Sequence, residues 1–327
     1  MSASIVATAP GKVVLSGEYA VLDGAPAICM AINRRARATI SHHGDSTSHV
    51  ESMGYARERG EFESTDNGIR WHMGQESFTV IDTVWRAANV GKGIGRDIHL
   101  NTTSFIDSTT YQKIGVGSSA AITVALTAAV KGCADVATIG MLAHQAHKEL
   151  QGGVGSGVDV ASSLYGGLIE YRVEGATVKA LPWPTGLSYR LIWTGTPAST
   201  QDKLMQLNAG VSKPSRVRLV GASEVMAGHW QSGDPVRVLD GYRDYCEQLR
   251  EFSSDHKLGI FDVGHNELWR EAKGRNLTYK PCGAGGGDVG IVLGLDDAEL
   301  DAFGRALTTN FKMLDCELSP TGVRIEA

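Results

Sequence analysis

The chain has 327 residues, of which 42% are hydrophobic and 20% are charged, and its formal net charge is −5 at pH 7. This length suits one large domain or two ordinary ones, each with a substantial core. A slightly acidic chain lacks the strongly basic surface of nucleic-acid-binding domains, so we expect no nucleic-acid partner.

The cysteine pattern and the hydropathy bear on location. The five cysteines are scattered and contain no C-x-x-C pair, which argues against a disulfide framework or a cysteine zinc site and favours a reducing compartment. The N-terminal residues do not resemble a signal peptide, and no apolar run approaches the ~18 residues that span a bilayer. We therefore expect a cytoplasmic protein without a membrane partner, either a monomer or a homodimer.

The first half of the chain is predicted to begin with short apolar strands and to continue mainly with helices. The predicted elements are strands at 4–9 and 12–16 separated by Pro10-Gly11, a strand in the second half of 26–40, loops and edge hairpins over 41–75, a helix at 76–90 and a strand at 97–107. His42, His43 and His49 fall in the irregular segment 41–75. Their spacing does not match a metal site, and we interpret them as loop residues.

Three predicted helices and a hairpin follow a glycine-rich loop that begins at 113. Ser118 or Ser119 is expected to cap a helix that runs to Lys131, with Gly132 as its end. Asp135 is expected to cap a helix through about Gln151. A short helix within 155–167 and a hairpin at 167–181 complete this half.

Pro182 and Pro184 indicate a boundary between residues 1–183 and 184–327. The second half is predicted to be an α+β unit. Its elements are a strand at 189–195, helices at 214–231, 234–253, about 260–275 and 297–309, a strand after the glycine run 282–288, and a final strand pair. Proline at or near the first helical position supports the two long helices.

The loop Lys113-Ile-Gly-Val-Gly-Ser-Ser-Ala-Ala121 is a candidate phosphate site, because glycine-exposed amides that lead into a helix N-terminus bind anions. It is not a Walker A loop, since no Gly-Lys-Ser/Thr follows at the required spacing. Nor is it a dinucleotide fingerprint, because no acidic residue follows at the end of a next strand. Taken alone, it is equally consistent with a turn and a small-residue packing helix.

Three other stretches allow a functional and a structural interpretation. Lys12 follows a Pro-Gly bend and is rigidly held on a strand, although a lone lysine is usually a surface residue. Asp159, in Gly155-Ser-Gly-Val-Asp-Val-Ala161, is either a helix cap or a functional carboxylate. The run Gly283-Ala-Gly-Gly-Gly-Asp288 resembles a flexible linker in composition, but its position directly before a strong strand favours close backbone approach to an anion.

The four stretches and their order along the chain resemble the motifs of the GHMP kinase superfamily. The resemblance covers essentially the whole chain. Within the superfamily, the sequence is most similar to the phosphomevalonate kinase family. The matching motifs are Gly17-Glu-Tyr-Ala-Val21, Gly115-Val-Gly-Ser-Ser-Ala-Ala121, Gly155–Ala161 preceded by Gln151, Trp193–Thr200 and Gly283–Asp288. Two positions depart from the family pattern: Cys282 stands where serine is usual, and Val158 stands where phenylalanine is common.

The resemblance implies an α+β, two-domain GHMP kinase fold with the active site in the cleft between the domains. Residues 1–183 would form a ribosomal protein S5 domain 2-like, ATP-binding N-terminal domain. Residues 184–327 would form a ferredoxin-like C-terminal domain. The implied reaction is the ATP-dependent phosphorylation of 5-phosphomevalonate to 5-diphosphomevalonate in the mevalonate route to isoprenoids, with ATP and Mg²⁺ as cofactors.

The resemblance also assigns residue roles. Lys12 and Asp159 would be catalytic, with Lys12 neutralising charge and Asp159 orienting the acceptor oxygen. The ATP phosphates would lie against Gly115, Val116, Gly117, Ser118, Ser119 and Ala120. Ser119 and Glu149 would bind Mg²⁺. The acceptor would contact Lys12, Tyr19, Ser156, Asp159, Ser199, Thr200, Ala284 and Gly285.

Arg34, Arg35 and Arg37 are either part of the acceptor site, since guanidinium groups suit phosphate and carboxylate, or a solvated strand edge, which is the commoner situation. Mevalonate or another small alcohol remains an alternative acceptor. A non-catalytic ligand sensor of the same fold is a further alternative, but it predicts damaged catalytic positions, whereas Lys12, Ser119 and Asp159 are intact.

Overall fold

The structure is a computed structural model that describes residues 4–66, 68–208, 213–308 and 310–326, without the side chains of residues 200, 201 and 208. The strands are β1 (Ile5–Ser16), β2 (Ala27–His42), β3 (Thr47–Met53), β4 (Gly60–Thr65), β5 (Gly68–Met73), β6 (Arg96–Asn101), β7 (Leu168–Arg172), β8 (Thr177–Leu181), β9 (Ser188–Trp193), β10 (Thr278–Pro281), β11 (Val289–Gly294), β12 (Lys312–Leu314) and β13 (Arg324–Glu326). The α-helices are α1 (Thr79–Ala87), α2 (Ser118–Lys131), α3 (Val136–Leu150), α4 (Val158–Tyr165), α5 (Thr200–Asn208), α6 (Pro214–Ser232), α7 (Pro235–Asp255), α8 (His265–Gly274) and α9 (Asp297–Arg305).

The larger sheet has the strand order β13-β1-β2-β6-β3-β4-β5, with β7 paired to β2 and β8 paired to β7. Contrary to the sequence prediction, β1 is one continuous strand whose register shifts between Pro10 and Gly11. A Cβ atom at Gly11 would lie 2.6 Å from both Phe105 Cε1 and the Val116 carbonyl oxygen. The strand therefore continues through Pro10-Gly11 because glycine lets a neighbouring aromatic ring and the glycine-rich loop pack directly on its backbone.

The segment 41–75 is more regular than the sequence suggested. The edge hairpins are present as β3-β4-β5, but most of the expected loop is strand. Val50 and Phe62 are fully buried, which anchors these strands on the core. In addition, β3 pairs in parallel with β6, a pairing between distant segments that no local pattern predicts.

The helices of the first half pack on the larger sheet. The predicted capping of α3 by Asp135 is confirmed, because its carboxylate accepts a hydrogen bond from the Thr138 amide at 2.8 Å. The predicted serine cap of α2 is wrong: Gly117 is the N-cap, and α2 begins at Ser118 without a side-chain capping hydrogen bond. The left-handed conformation of Gly117 takes the place of a serine cap.

The second half contains a four-stranded sheet in the order β10-β11-β9-β12, so the α+β class is confirmed. Pro214 and Pro235 begin α6 and α7 as expected, whereas α8 begins at His265, later than predicted. The last two strands do not pair with each other, because β12 pairs with β9 and β13 pairs with β1. The division at residue 183 stays a prediction. None of the helices in the described ranges is long and apolar enough to cross a membrane.

The close packing at Gly11 gives a testable expectation for stability. Gly11→Ala should lower the free energy of unfolding by about 1–3 kcal/mol, because the added methyl must displace the Phe105 ring and the Val116 carbonyl. Gly91→Ala is the matched control, since a Cβ there has nothing within 4 Å. Urea denaturation of both variants measures the effect, and equal stabilities would contradict the packing argument.

Candidate active site

Lys12 and Asp159 form an ion pair at the side of a pocket. Lys12 lies on β1, and its Nζ is 3.0 Å from Oδ1 of Asp159 in the first turn of α4. Both side chains are largely buried, at 13% and 27% exposed. Burial lowers the pKa of Lys12, but the charge and hydrogen bond of Asp159 outweigh it and raise the pKa on balance. Lys12 therefore carries a positive charge at neutral pH.

The glycine-rich loop lies against the strand that carries Lys12. The Lys12 amide donates a hydrogen bond to the Val116 carbonyl at 2.9 Å, and a Cβ at Gly117 would lie 2.8 Å from Lys12 Cγ. Gly115 and Gly117 have positive φ angles of 84° and 85°. Because α2 has no side-chain cap, the amides of its first turn are available to an anion.

The six positions assigned to ATP differ in exposure. Gly115 and Ser119 are exposed, Gly117 and Ser118 are partly buried, and the side chains of Val116 and Ala120 are buried. Val116 and Ala120 can therefore serve a nucleotide only through their backbone, and the Ser119 hydroxyl is accessible to a cation.

One pocket brings together five of the residues assigned to the acceptor, namely Lys12, Tyr19, Ser156, Asp159 and Ala284. The Tyr19 hydroxyl donates to the Ala284 carbonyl at 2.7 Å, which joins the motif 17–21 to the glycine run 283–288. The Ser156 carbonyl accepts a hydrogen bond from the Tyr171 hydroxyl at 2.8 Å. The walls of the pocket thus come from both halves of the chain.

The structure does not bring Ser199 and Gly285 into this pocket. Ser199 is exposed, and its hydroxyl accepts a hydrogen bond from the Asp202 amide at 3.2 Å. Gly285 packs on Ile260, and the side chain of Thr200 lies outside the described residues.

Glu149, assigned to Mg²⁺, forms an ion pair with Arg86 at 2.9 Å on the neighbouring helix α1. A carboxylate that is neutralised by a guanidinium group fits a magnesium ligand poorly. The assignment of Glu149 to Mg²⁺ stays a prediction from the family resemblance.

Arg34, Arg35 and Arg37 do not line this pocket, and their guanidinium groups have partners elsewhere in the chain. Arg35 donates to the Gly322 carbonyl at 2.6 Å and to the Thr321 carbonyl at 3.0 Å. Arg34 donates to the Ser104 carbonyl, and Arg37 to the Glu326 carboxylate. These contacts favour the structural interpretation of the cluster, since Arg35 and Arg37 attach β13 and the residues before it to the sheet and Arg34 contacts the segment after β6.

Comparison with known proteins shows to which family the chain belongs. Residues 80–167 match the family model of the GHMP kinases N terminal domain. The chain is also 31% identical over 343 residues to the phosphomevalonate kinase of Streptomyces sp. (strain CL190), an alignment that covers 89% of this chain and 90% of the relative. The chain belongs to the GHMP kinase family.

Other relatives of this GHMP kinase include the mevalonate kinase of Bos taurus, which is 26% identical over 99% of this chain and 96% of its own. Among solved structures, the Streptococcus pneumoniae phosphomevalonate kinase in complex with phosphomevalonate and AMPPNP has a TM-score of 0.77 at 16% identity, with 96% of this chain and 99% of that chain covered. This similarity confirms the two-domain GHMP kinase fold.

A buried ion pair, one member of which lines the pocket, connects the two halves of this GHMP kinase. Glu18 lies in the motif 17–21, and its carboxylate contacts the Nζ of Lys280 on β10. The Tyr245 hydroxyl donates to Glu18 at 2.8 Å and accepts a hydrogen bond from the Gly17 amide at 2.8 Å. Lys280 also donates to the Pro281 carbonyl at 2.6 Å. Each charge thus has several partners, as a buried pair requires.

Three residues received no predicted site role from the sequence, namely His147, Lys203 and Gln151, which was matched only as part of a motif. His147 lines the pocket, is only 2% exposed, and its Nε2 has no hydrogen-bond partner among the described residues. Burial lowers its pKa, so the ring is neutral at pH 7. Gln151, four residues later on the same side of α3, also lines the pocket, and this i, i+4 spacing was the available signal. Lys203 on α5 places its Nζ beside Gly286, and no sequence pattern indicated it.

Asp288 is a fourth missed residue, at the end of the glycine run. A Cβ at Gly115 would lie 2.1 Å from its Cγ, so the carboxyl group packs on the glycine-rich loop. It accepts a hydrogen bond from the Ala198 amide at 3.1 Å. Burial raises the pKa of Asp288 to about 6, although the Ala198 amide and the Lys12 charge oppose the shift.

The buried pair should dominate local stability. Glu18→Gln or Lys280→Met alone should lower the free energy of unfolding by about 3–5 kcal/mol, because each leaves an uncompensated buried charge. The double variant should recover much of this loss. Glu247→Gln is the control, since its pair with Lys273 is exposed and should contribute at most about 1 kcal/mol. Denaturant unfolding that shows equal small effects for both pairs would contradict this expectation.

Asp288 should make stability depend on pH. Because its folded-state pKa of about 6 is above the ordinary 3.8, the folded protein binds the extra proton between these values, and stability falls as pH rises through this window. Asp288→Asn keeps the acceptor oxygen but cannot ionise. Relative to the wild type, the variant should therefore become progressively more stable as the pH rises from about 4 to about 6. Above about pH 6 the difference in stability should stay constant. A difference that is constant with pH in urea titrations would rule out this ionisation.

Proposed function

We propose that this protein transfers the γ-phosphoryl group of ATP to 5-phosphomevalonate and produces 5-diphosphomevalonate and ADP in the mevalonate route to isoprenoids. The observation that carries the proposal is the Lys12–Asp159 pair at 3.0 Å, in a pocket directly beside the glycine-rich loop. The similarity to the Streptomyces phosphomevalonate kinase supports the choice of acceptor. An intact pair also argues against a non-catalytic sensor.

The loop 115–119 fits the phosphates of ATP, because its amides are uncapped and its glycines allow close approach. The exposed hydroxyl of Ser119 fits a Mg²⁺ ligand, since this hard cation prefers oxygen donors. When bound, Mg²⁺ would supply positive charge that neutralises the phosphates of ATP. The N-terminal part of the chain would thus hold the nucleotide, and Ala284 would add a wall of the acceptor site from the C-terminal part.

In the reaction, an oxygen of the acceptor forms a bond to the γ-phosphorus while the bond from that phosphorus to the β–γ bridging oxygen breaks. Phosphoryl transfer depends mainly on positioning and on charge stabilisation. The Lys12 ammonium group would stabilise negative charge on the transferring group. Asp159 would hold Lys12 in place and orient the acceptor oxygen.

The two candidate acceptors differ in the proton that must leave. The second pKa of a phosphate monoester is about 6, so the phosphate of 5-phosphomevalonate is mostly ionised at pH 7 and needs little help from a base. The hydroxyl of mevalonate, in contrast, must lose its proton during transfer. A carboxylate already paired with an ammonium group fits an orienting role, which favours the phosphate acceptor. Because the chain is also similar to mevalonate kinases, mevalonate is the second candidate acceptor.

The acceptor is tested with purified protein, ATP and Mg²⁺ by following ADP release in the presence of 5-phosphomevalonate or mevalonate. We expect turnover with 5-phosphomevalonate and little with mevalonate. The converse result would replace the proposed acceptor by mevalonate. Absence of turnover with both, together with retained ATP binding, would favour the sensor.

Asp159→Asn tests the proposed role of the pair. We expect turnover to fall by at least about 100-fold, because the acceptor and Lys12 lose their charged partner. Binding of ATP should be kept, since the loop 115–119 is separate from Asp159. Asp66→Asn, on the exposed turn after β4, is the control and should not change turnover. Unchanged turnover in Asp159→Asn would remove Asp159 from the mechanism.

A further inference from the structure

We propose that one end of the larger sheet binds a divalent transition metal of the zinc class through His43, His49 and Asp97. One ligand atom from each residue can be chosen so that all three lie within 4.8 Å of one another. None of the three residues lines the pocket described above, so this site is independent of the proposed kinase reaction.

The sheet brings these residues together from three separate segments. In the parallel pairing of β3 with β6, His49 is the direct partner of Asp97. Paired positions place their side chains on the same face of a sheet. His43 follows immediately after the last residue of β2, which is the other neighbour of β6. Two of the three ligands therefore lie on strands, which position a metal site more precisely than loops do.

The position of His43 is fixed by backbone contacts. Its amide donates to the Gly95 carbonyl at 3.2 Å, and the Gly95 amide donates to the Asp45 carbonyl at 2.7 Å. The imidazole ring lies directly over Gly95, where a Cβ would be 2.7 Å from its Cε1. A glycine at 95 thus allows the ring to pack against the turn and to point at β6.

The donor set matches the chemistry of zinc. His43 Nε2 is 3.6 Å from Asp97 Oδ1, and this nitrogen is buried without a hydrogen-bond partner among the described residues. A buried polar atom of this kind is unusual unless something binds it. In a tetrahedral site with bonds of about 2.0–2.1 Å, neighbouring ligand atoms are about 3.4 Å apart, close to the observed separation. Imidazole and carboxylate together suit zinc, copper or nickel, whereas Mg²⁺ prefers oxygen ligands only.

A further carboxylate also lies near the Nδ1 atom of each histidine ring. Glu61 is 3.8 Å from His49 Nδ1, and Asp45 is 3.9 Å from His43 Nδ1. Such outer carboxylates orient histidine ligands and make them more basic. The two rings are stacked with centroids 5.6 Å apart. His49 is exposed, so a fourth position for water remains. A metal here would connect the end of β2 with β3 and β6.

Titration with Co²⁺, followed by displacement with Zn²⁺, tests the site in full-length protein that has no histidine tag and has been treated with EDTA. We expect one equivalent of Co²⁺ to bind in the micromolar range, with the intense visible absorption of four-coordinate cobalt, and Zn²⁺ to abolish it. His49→Ala and Asp97→Asn should each weaken binding by at least about 10-fold. His99→Ala is the matched control, because this exposed histidine lies two residues from Asp97 and beside Glu51.

Thermal melting in EDTA shows whether each variant is folded. If His49→Ala does not fold, the conservative variant Asp97→Asn still tests the site. Zn²⁺ should raise the melting temperature of the wild type and of His99→Ala, but not of Asp97→Asn. The proposal is overturned by the absence of stoichiometric binding. It is also overturned by equal losses in His49→Ala and His99→Ala, which would indicate only scattered surface histidines. Because the readouts are absorbance and melting, failure of the kinase proposal would leave this result unchanged.

Discussion

The buried contact between Glu18 and Lys280 is the constraint on which the architecture of the pocket depends. Two charges removed from water are tolerated only when their remaining hydrogen-bonding capacity is used, and here Tyr245 and the Pro281 carbonyl use it. The pair attaches the motif 17–21 to β10. Tyr19, next in the chain, has a positive φ of 61°, a conformation that needs support from its surroundings. Its hydroxyl consequently reaches the Ala284 carbonyl, which joins the two walls of the pocket.

Lys280 and Lys12 have different roles, because the partners of the two ammonium groups compensate their charges to different extents. Lys280 is fully buried and has Glu18 and a backbone carbonyl as partners, so its charge is compensated within the protein. Lys12 is 13% exposed and faces a pocket with one carboxylate partner. An ammonium group has three donors, so Lys12 can still bind an incoming anionic group. Lys280 determines the shape of the pocket, whereas Lys12 supplies its available positive charge.

The family resemblance, which rests on local motifs, assigned Lys12, Tyr19, Ser156, Asp159 and Ala284 to the acceptor. The structure places these five residues around one pocket. The Glu18–Lys280 contact was not predictable, because Lys280 lies in an ordinary strand and is 262 residues from its partner. The grouping of His43, His49 and Asp97 was missed for a similar reason, since it requires the parallel pairing of β3 with β6. The serine cap of α2 was wrong because a left-handed glycine can begin a helix without a side-chain cap.

Asp288 shows how the same packing links charge to the glycine-rich loop. Its buried carboxyl group contacts Gly115 and has a pKa raised by burial to about 6, with Lys12 as an opposing influence. A phosphate held by the amides of 115–119 would lie near this carboxyl group, and a nearby negative charge disfavours the ionised form of a carboxylic acid. Binding of a nucleotide would therefore raise the pKa of Asp288 further and be accompanied by proton uptake near pH 6. If the loop binds a nucleotide as proposed, the contact between Gly115 and Asp288 would therefore couple nucleotide binding to the protonation of this carboxyl group.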